Sequence, residues 1–472
     1  MRIVVTAINP LFADQVIGGS TKHLRNVVVR LAEQGHDVTV LCTRRDDTAE
    51  PFQWHQRATV LPVLQHKQPF PQPYEIPAYV MAQNIQVVAD HLADADRYYM
   101  HDGEFLFPPV AADVPTVVSL RDNVYPETML GSYLFRGDVL ITIAEFSREV
   151  VLTGPGRFLR QLPERTVMIP NGIDFERFHR GVPDPAILDL VPIDPAAHTV
   201  VLHPHRPEPS KGLPQSLAVV DALVHEHGFE DLLLLVPRWF DTDKGDDTRA
   251  FQQAMEAEIA RRGLAAHVVF HDWIPQSLMP DYYRLGDLTL ALGHFVEAFG
   301  NTPYESLACG TPAIPARVAT HRTLVPDELL AKVHFGDVEG TSALAAQILR
   351  GQAGVAPELT AYLRANFDVG AQLDAYAEVI LGARKLPDIK YTFSPLGPDS
   401  RYRLAPWCYE WGESMFWHDF DATHVRLPAL SAMLAEHPDG LHVADHPAVP
   451  EWYRAGYVVP AVSVGAAVSA GA

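Results

Sequence analysis

The hydrophobic positions of the first forty residues change period twice. Apolar, largely β-branched residues at 3–7 predict a short strand, and residues 37–41 repeat the signature. Between them Leu24, Val27, Val28 and Leu31 recur at three- and four-residue spacing, which predicts a helix over 21–34 with one face against a sheet and Gly35 as its stop. Strand, helix and strand make a βαβ unit. Strands predicted at 116–120, 139–143 and 166–169 alternate with helical segments, so the first half reads as a parallel, doubly wound sheet. Residues 174–198 are proline-containing and aperiodic, as an interdomain linker is. A second series then predicts strands at 199–203, 231–237, 267–271, 288–292 and 312–315, with helices near 215–227, 248–262 and 303–309.

The expected architecture is therefore α/β, with two Rossmann-like doubly wound domains facing a central cleft. The boundaries are 1–175 for the first domain, 176–198 for the linker, 199–365 for the second, 366–386 for a crossover helix region, and 387–472 for an extension. That extension holds Trp407, Trp411, Trp417 and Trp452 and reads as irregular, with a frayed tail. Ligands of open parallel sheets sit beyond the carboxyl ends of the strands, so the cleft is the expected active site.

Composition narrows the function classes. With 37 Lys and Arg against 58 Asp and Glu, the net charge of −21 repels polyanions, and no basic stripe offsets it; nucleic acid is excluded as a partner. Cys42, Cys309 and Cys408 are scattered without metal-ligand spacing, which suits a reducing compartment. The first residues lack the regions of a secretory signal, and the apolar stretch 457–472 is too short to span a bilayer comfortably. A cytoplasmic chain without a stable membrane anchor is expected.

The chemistry concentrates at Glu297 and Glu305, which seven residues separate. The first is placed on a loop and the second on the following helix. Between them Phe299, Gly300, Asn301 and Thr302 form a glycine-containing turn into a helix N-terminus, whose free N–H groups and positive dipole end suit a diphosphate. Glu297 is then positioned to accept hydrogen bonds from sugar hydroxyls, and Glu305 from a ribose. Arg206 and Lys211, just after a strand and followed by Gly212, offer two cations to a pyrophosphate. Asp241-Thr242-Asp243 matches the short pattern of metal-binding transferases but stands among Lys244, Asp246 and Asp247, and reads as a solvated charge run. No Gly-x-Gly-x-x-Gly follows the first strand, which leaves a nicotinamide-dependent oxidoreductase without support.

The stretch from Glu297 to Glu305 resembles the E-x7-E signature of family 4 retaining glycosyltransferases of the GT-B fold. Gly18-Gly19 before a helix, Gly35-His36-Asp37-Val38, Ile169-Pro170-Asn171-Gly172 with Phe178, and His271-Asp272-Trp273-Ile274-Pro275 resemble other segments of that family, in the same order. The resemblance covers residues 1–383. It implies retaining, metal-independent transfer of a hexose-type sugar from a nucleotide-diphosphate sugar, with uridine-linked donors ahead of guanosine-linked mannose, no cofactor, and a small soluble acceptor that the sequence does not identify. It implies donor contacts at Gly18, Gly19, Arg206, Lys211, Trp273, Ile274, Glu297, Phe299, Gly300, Asn301, Thr302 and Glu305. Where the family often carries a His that reaches the donor sugar, this chain has Arg121-Asp122. Arg121 cannot serve as a base and is expected to stabilise charge or bind acceptor, with His101 as a second catalytic candidate. Ala319-Thr320-His321-Arg322 stands where the family commonly has a Gly-rich turn and a Glu. The long segment 51–83, with Trp54, Phe70 and Tyr74, is expected to border the acceptor. An epimerase or phosphorylase on the same fold, or a sugar-nucleotide-binding protein without turnover, are the alternatives.

Overall fold

A computed structural model describes residues 1–14, 18–67, 75–101, 103, 107–238, 245–393 and 395–461. Its first sheet contains β1 (Arg2–Ala7), β2 (Asp37–Thr43), β3 (Phe52–His55), β4 (Ala58–Leu64), β5 (Arg97–His101), β6 (Thr116–Leu120), β7 (Val139–Thr142) and β8 (Thr166–Met168). The order is β3-β4-β2-β1-β5-β6-β7-β8, parallel throughout except for the antiparallel β3 at one edge. A parallel sheet is covered on both faces, and alternate residues of β1 show it. Ile3, Val5 and Ala7 pack beneath α1 (Gly19–Glu33), whereas Val4 joins Val88 and Leu92 of α2 (Ala78–Leu92) on the other face.

From β1 the chain winds outward to β2 and β4, then returns to β5 beside β1, so the switch in winding lies between them. The second sheet repeats the scheme with β9 (Thr199–Leu202), β10 (Leu232–Pro237), β11 (Val268–His271), β12 (Leu288–Ala291) and β13 (Ala313–Pro315). Its order is β11-β10-β9-β12-β13, which places the switch between β9 and β12. Past the second sheet, the helix Val369–Gly382 returns to the first domain. Tyr376, Ala377 and Ile380 are buried with α1 and β1, and Arg97 donates to the Leu381 carbonyl at 2.9 and 3.1 Å.

Two expectations are corrected. Residues 51–83 are not one long loop: β3 and β4 form a hairpin on the sheet edge, and α2 begins at Ala78. Trp54 packs on the core beneath α1 and donates to the Phe12 carbonyl at 3.0 Å, so it covers the sheet edge; Phe70 and Tyr74 lie outside the described residues. The extension is also not irregular. It folds into β14 (Arg401–Leu404), β15 (Cys408–Trp411), β16 (Met415–His418), β17 (Thr423–Arg426), β18 (Leu441–His442) and β19 (Val458–Pro460), in two antiparallel sheets of three strands. Strands of two to four residues are too short to display a period of two, which is why the pattern concealed them.

The extension grips both domains. On the first, Arg403 pairs with Glu149 at 3.0 Å and Arg157 donates to the Tyr453 hydroxyl at 2.9 Å. On the second, Arg322 pairs with Asp419 at 2.7 Å, and His334 hydrogen-bonds the Tyr409 hydroxyl at 2.9 Å. Residues 462–472, the end of the expected frayed tail, lie outside the described residues. No helix among the described residues is long and apolar enough to cross a membrane.

If the helix Val369–Gly382 completes the first domain, Ile380→Ala should cost about 2–5 kcal/mol, the range for emptying a fully buried aliphatic site. Urea denaturation checks this, and a loss below about 0.5 kcal/mol, the surface-substitution range, would show that the helix is not docked there.

Candidate functional site between the two sheets

The loops leaving β9 and β12 meet at the winding switch of the second sheet. The amides of His294 and Phe295 both donate to the Ser210 carbonyl, at 2.9 and 3.0 Å. Gly212 adopts a φ of +85°, and a Cβ there would fall 2.5 Å from the Gly293 nitrogen. Only glycine lets the two backbones approach so closely. The seam carries Lys211 and Glu297 to each other: Lys211 Nζ lies 2.6 Å from Glu297 Oε1 and 3.8 Å from the centre of the Phe295 ring. Burial works to raise the Glu297 pKa, but the Lys211 ammonium, with Arg206 behind it, brings the carboxyl below its ordinary value. Arg206 approaches the same carboxylate field while pairing with Glu208 at 3.5 Å.

The helix Asn301–Ala308 starts at Gly300, with no side chain capping its first N–H groups. The His321 ring packs against this start, so that a Cβ on Gly300 would lie 2.5 Å from it. Tyr304 and His321 Nδ1 share a hydrogen bond of 2.8 Å, and burial pulls the imidazole pKa down to about 4, which keeps it neutral. On the same helix Glu305 receives the Tyr283 hydroxyl at 3.4 Å, and the Lys22 ammonium of α1 stands 3.8 Å away. Thr302 hydrogen-bonds Tyr283.

A cleft of about 790 Å³ separates the domains, lined by Gly19, Lys22, His23, Arg121, Trp273 and Asn301 among others. Gly18 and Gly19 stand at the N-terminus of α1. Trp273 is 41% exposed and presents its ring to the cleft wall. Across it runs a chain of hydrogen bonds from the first domain to the second. Arg121 Nη2 donates to Asn171 Oδ1 at 2.6 Å, and Asn171 Nδ2 donates to Asn301 Oδ1 at 3.1 Å. Arg121 also donates to the Tyr376 hydroxyl at 3.2 Å.

Several sequence assignments change. His101 is buried: Nε2 is 3.0 Å from the Ser20 hydroxyl and Nδ1 is 2.8 Å from the Tyr99 hydroxyl, so both ring nitrogens are taken inside the first domain. The imidazole is therefore hydrogen-bonded within the first domain through both nitrogens. Ile274 and Phe299 lie in the second domain's core, Phe299 edge-on to Tyr304 and Phe367, so their side chains pack instead of contacting a donor. Asp241 and Asp243 lie outside the described residues. Among the described residues no group of three or more His, Cys, Asp or Glu is placed to hold a metal.

Sequence reasoning missed His23. It sits on the apolar face of α1, lines the cleft, and has a buried Nε2 with no protein hydrogen bond. Burial, the Arg121 charge and His101 hold its pKa well below the usual value. A neutral imidazole therefore faces the cleft. The one available signal was its position four residues after Gly19, within the first turns of a helix that begins at the cleft.

Comparison with known proteins bears on the family and the fold. The model of Glycosyltransferase Family 4 matches residues 17–177, and that of Glycosyl transferases group 1 matches residues 196–352. A D-inositol 3-phosphate glycosyltransferase of Thermomonospora curvata is 38% identical over 79 residues, 17% of this chain and 18% of that relative. The chain thus aligns with less than a fifth of that relative's length. In structure, sucrose-phosphate synthase from Thermosynechococcus elongatus superposes with a TM-score of 0.65 at 17% identity, over 81% of this chain and 98% of that one. Anabaena HepE, solved in complex with UDP-glucose, superposes at 0.61 with 18% identity, over 81% of this chain and all of that one. At such identities the likeness establishes the fold.

Since the folded pKa of Glu297 is depressed, its pairing stabilises the protein above the ordinary carboxyl value and is lost as pH falls through the lower folded value. Lys211→Met should therefore cost about 1.5–3 kcal/mol at neutral pH, the range for a hydrogen bond to a charged group, and clearly less once Glu297 is protonated. Urea titrations of both proteins at neutral and strongly acid pH check it; an equal gap at both would mean that the ammonium does not hold the carboxylate ionised.

Proposed function

Because the chain belongs to the family 4 glycosyltransferases of the GT-B fold, we propose that it is a retaining, metal-independent enzyme that moves a hexose from a nucleotide-diphosphate sugar to a small soluble acceptor. The observation that carries this reading is the Lys211–Glu297 pair at the winding switch, with Arg206 beside it and an uncapped helix start above it. A cation and a carboxylate paired in this way are complementary to the two halves of a sugar diphosphate. The diphosphate takes Lys211 and Arg206, and Glu297 turns to the hydroxyls of the sugar. Glu305, one helical stretch further, is placed for the ribose.

During transfer the bond from the anomeric carbon to the diphosphate breaks and a bond to the acceptor oxygen forms on the same face, with the acceptor proton passing to the departing phosphate oxygen. Negative charge grows on that phosphate, which Lys211, Arg206 and the uncapped first N–H groups of the helix Asn301–Ala308 would stabilise. Arg121 supplies a fixed positive charge, held by Asn171 and Tyr376, and takes no proton. Neutral His23 offers Nε2 to a hydroxyl of donor or acceptor. The UDP-glucose complex of HepE favours a uridine donor over guanosine-linked mannose in this reading. The enzyme is taken to act in the cytoplasm without a bound cofactor.

Release of UDP from UDP-glucose by the purified protein, dependent on an added small acceptor from a panel of sugars and alcohols and undiminished by excess chelator, is the expected outcome. Arg206→Ala should lower kcat/KM by about 10²–10³, as for a removed donor to developing negative charge. Stabilisation by UDP-glucose without any UDP release would make the protein a binder without turnover. Sugar release or epimerisation independent of any acceptor would favour a hydrolytic or epimerase chemistry, and activity lost to chelator and restored by manganese would return Asp241 and Asp243 to consideration.

A further inference from the structure

The turn between β6 and α3 (Pro126–Tyr133) has two sides. One carries Arg121 into the interdomain cleft. The other opens on a separate pocket of about 110 Å³ between the first domain and the extension. Its walls are mainly apolar: Met129 and Tyr133 from α3, Val150 from α4 (Glu145–Thr153), and Trp407 and Phe420 from the extension. Trp407 and Phe420 meet edge-on with ring centres 5.6 Å apart, and Phe420, 39% exposed, forms the rim.

Within this apolar lining one polar group is left over. Asn123 is 3% exposed and lines the pocket, and its Nδ2 has no hydrogen-bond partner. Its neighbour is fully engaged: the Asp122 carboxylate accepts from the amides of Val124 and Tyr125, both at 2.8 Å, and from the Thr128 hydroxyl at 2.5 Å. The turn is therefore pinned by Asp122, and the Asn123 amide is not needed to shape it. A buried amide donor without a partner costs on the order of 1–3 kcal/mol, so a leucine of similar volume would serve the fold better. The unpartnered amide suits a ligand that supplies the missing acceptor.

We propose that this pocket binds the apolar end of a small ligand, an aromatic ring or branched alkyl group carrying a hydroxyl or carbonyl oxygen that accepts from Asn123. A dry cavity of about 150 Å³ holds one benzene ring. A pocket somewhat smaller, with an exposed aromatic at its rim, admits a ring edge-first and leaves the remainder of the ligand outside. Resting on the glycosyltransferase reading, that ligand is the acceptor. The β6–α3 turn continues to Tyr125, whose ring lies 6.2 Å from Phe295, and Phe295 in turn lies under Lys211. A molecule anchored on Asn123 thus reaches along the turn toward the donor site. Trp407 and Phe420 fall outside both regions matched by the family models, so this wall is an addition of the extension.

Benzyl alcohol is a suitable probe, followed by ligand-observed NMR with the full-length protein. Saturable binding is expected, unaffected by saturating UDP because the diphosphate site lies elsewhere. Asn123→Leu and Phe420→Ala should each weaken it at least tenfold, while Asn123→Leu leaves the thermal midpoint unchanged or raised. Absence of saturable binding, unaltered binding in both variants, or displacement of the probe by UDP would overturn the proposal. A clearly lowered midpoint in Asn123→Leu would overturn it too, because the amide would then have a structural partner. None of these results depends on turnover, so the pocket can fail while the transferase reading stands.

Discussion

Lys211 and Glu297 come from loops 86 residues apart, and the constraint that joins them is the close approach of Gly212 to Gly293. The pair is only partly shielded, with 13% and 25% of the side chains exposed. Its worth to stability is modest, and its worth to function lies elsewhere. Two opposite charges held in register neutralise each other, so neither must be fully desolvated alone. In the proposed reading a diphosphate takes the place of Glu297 beside Lys211, and the sugar hydroxyls take the place of Lys211 beside Glu297. The neutral His321 behind Gly300, hydrogen-bonded to Tyr304, fills the space beneath this exchange without adding charge.

The same logic of shared partners ties the domains together. Asn171, at the exit from the first sheet, accepts from Arg121 and donates to Asn301 at the start of the donor-side helix. Gln372, on the returning helix, donates to that Asn171 oxygen at 3.3 Å and accepts from the Gly172 amide at 2.9 Å. Movement of one sheet relative to the other must pass through these amides. The extension adds a second tie, with Trp417 buried among Phe146 of the first domain and Val296 and Val318 of the second. Asp419 on the extension accepts from Arg322, from the Ala319 amide at 3.0 Å and from Trp417 Nε1 at 2.7 Å. The unusual segment from Ala319 to Arg322 is thus held by a carboxylate that arrives from 97 residues further along the chain.

What the sequence revealed follows from range. The strands buried on both faces, such as Val139–Thr142 and Leu288–Ala291, are continuous apolar runs, and the α1 stripe is local, so both were legible. Glu297 and Glu305 lie close in sequence, on one loop and the helix that follows it, so a local motif could single them out. His23, Asn171 and Gln372 are brought to the cleft by three separate crossings of the chain, and no local pattern marks such a meeting. The partners of His101 were hidden for the same reason: it ends a strand at a winding switch, where a ligand contact is expected, and Ser20 and Tyr99 hydrogen-bond both its ring nitrogens. The extension escaped because its strands are short and its aromatics face both inward and outward.

The central claim is that Lys211 and Glu297 guard the diphosphate and sugar positions of one donor. A crystal structure of the protein with UDP tests it most directly. The account predicts the diphosphate within hydrogen-bond distance of Lys211 Nζ and Arg206, the ribose hydroxyls on Glu305, and the Lys211–Glu297 contact lengthened from its 2.6 Å. A diphosphate bound elsewhere in the cleft, with that contact intact, would contradict it.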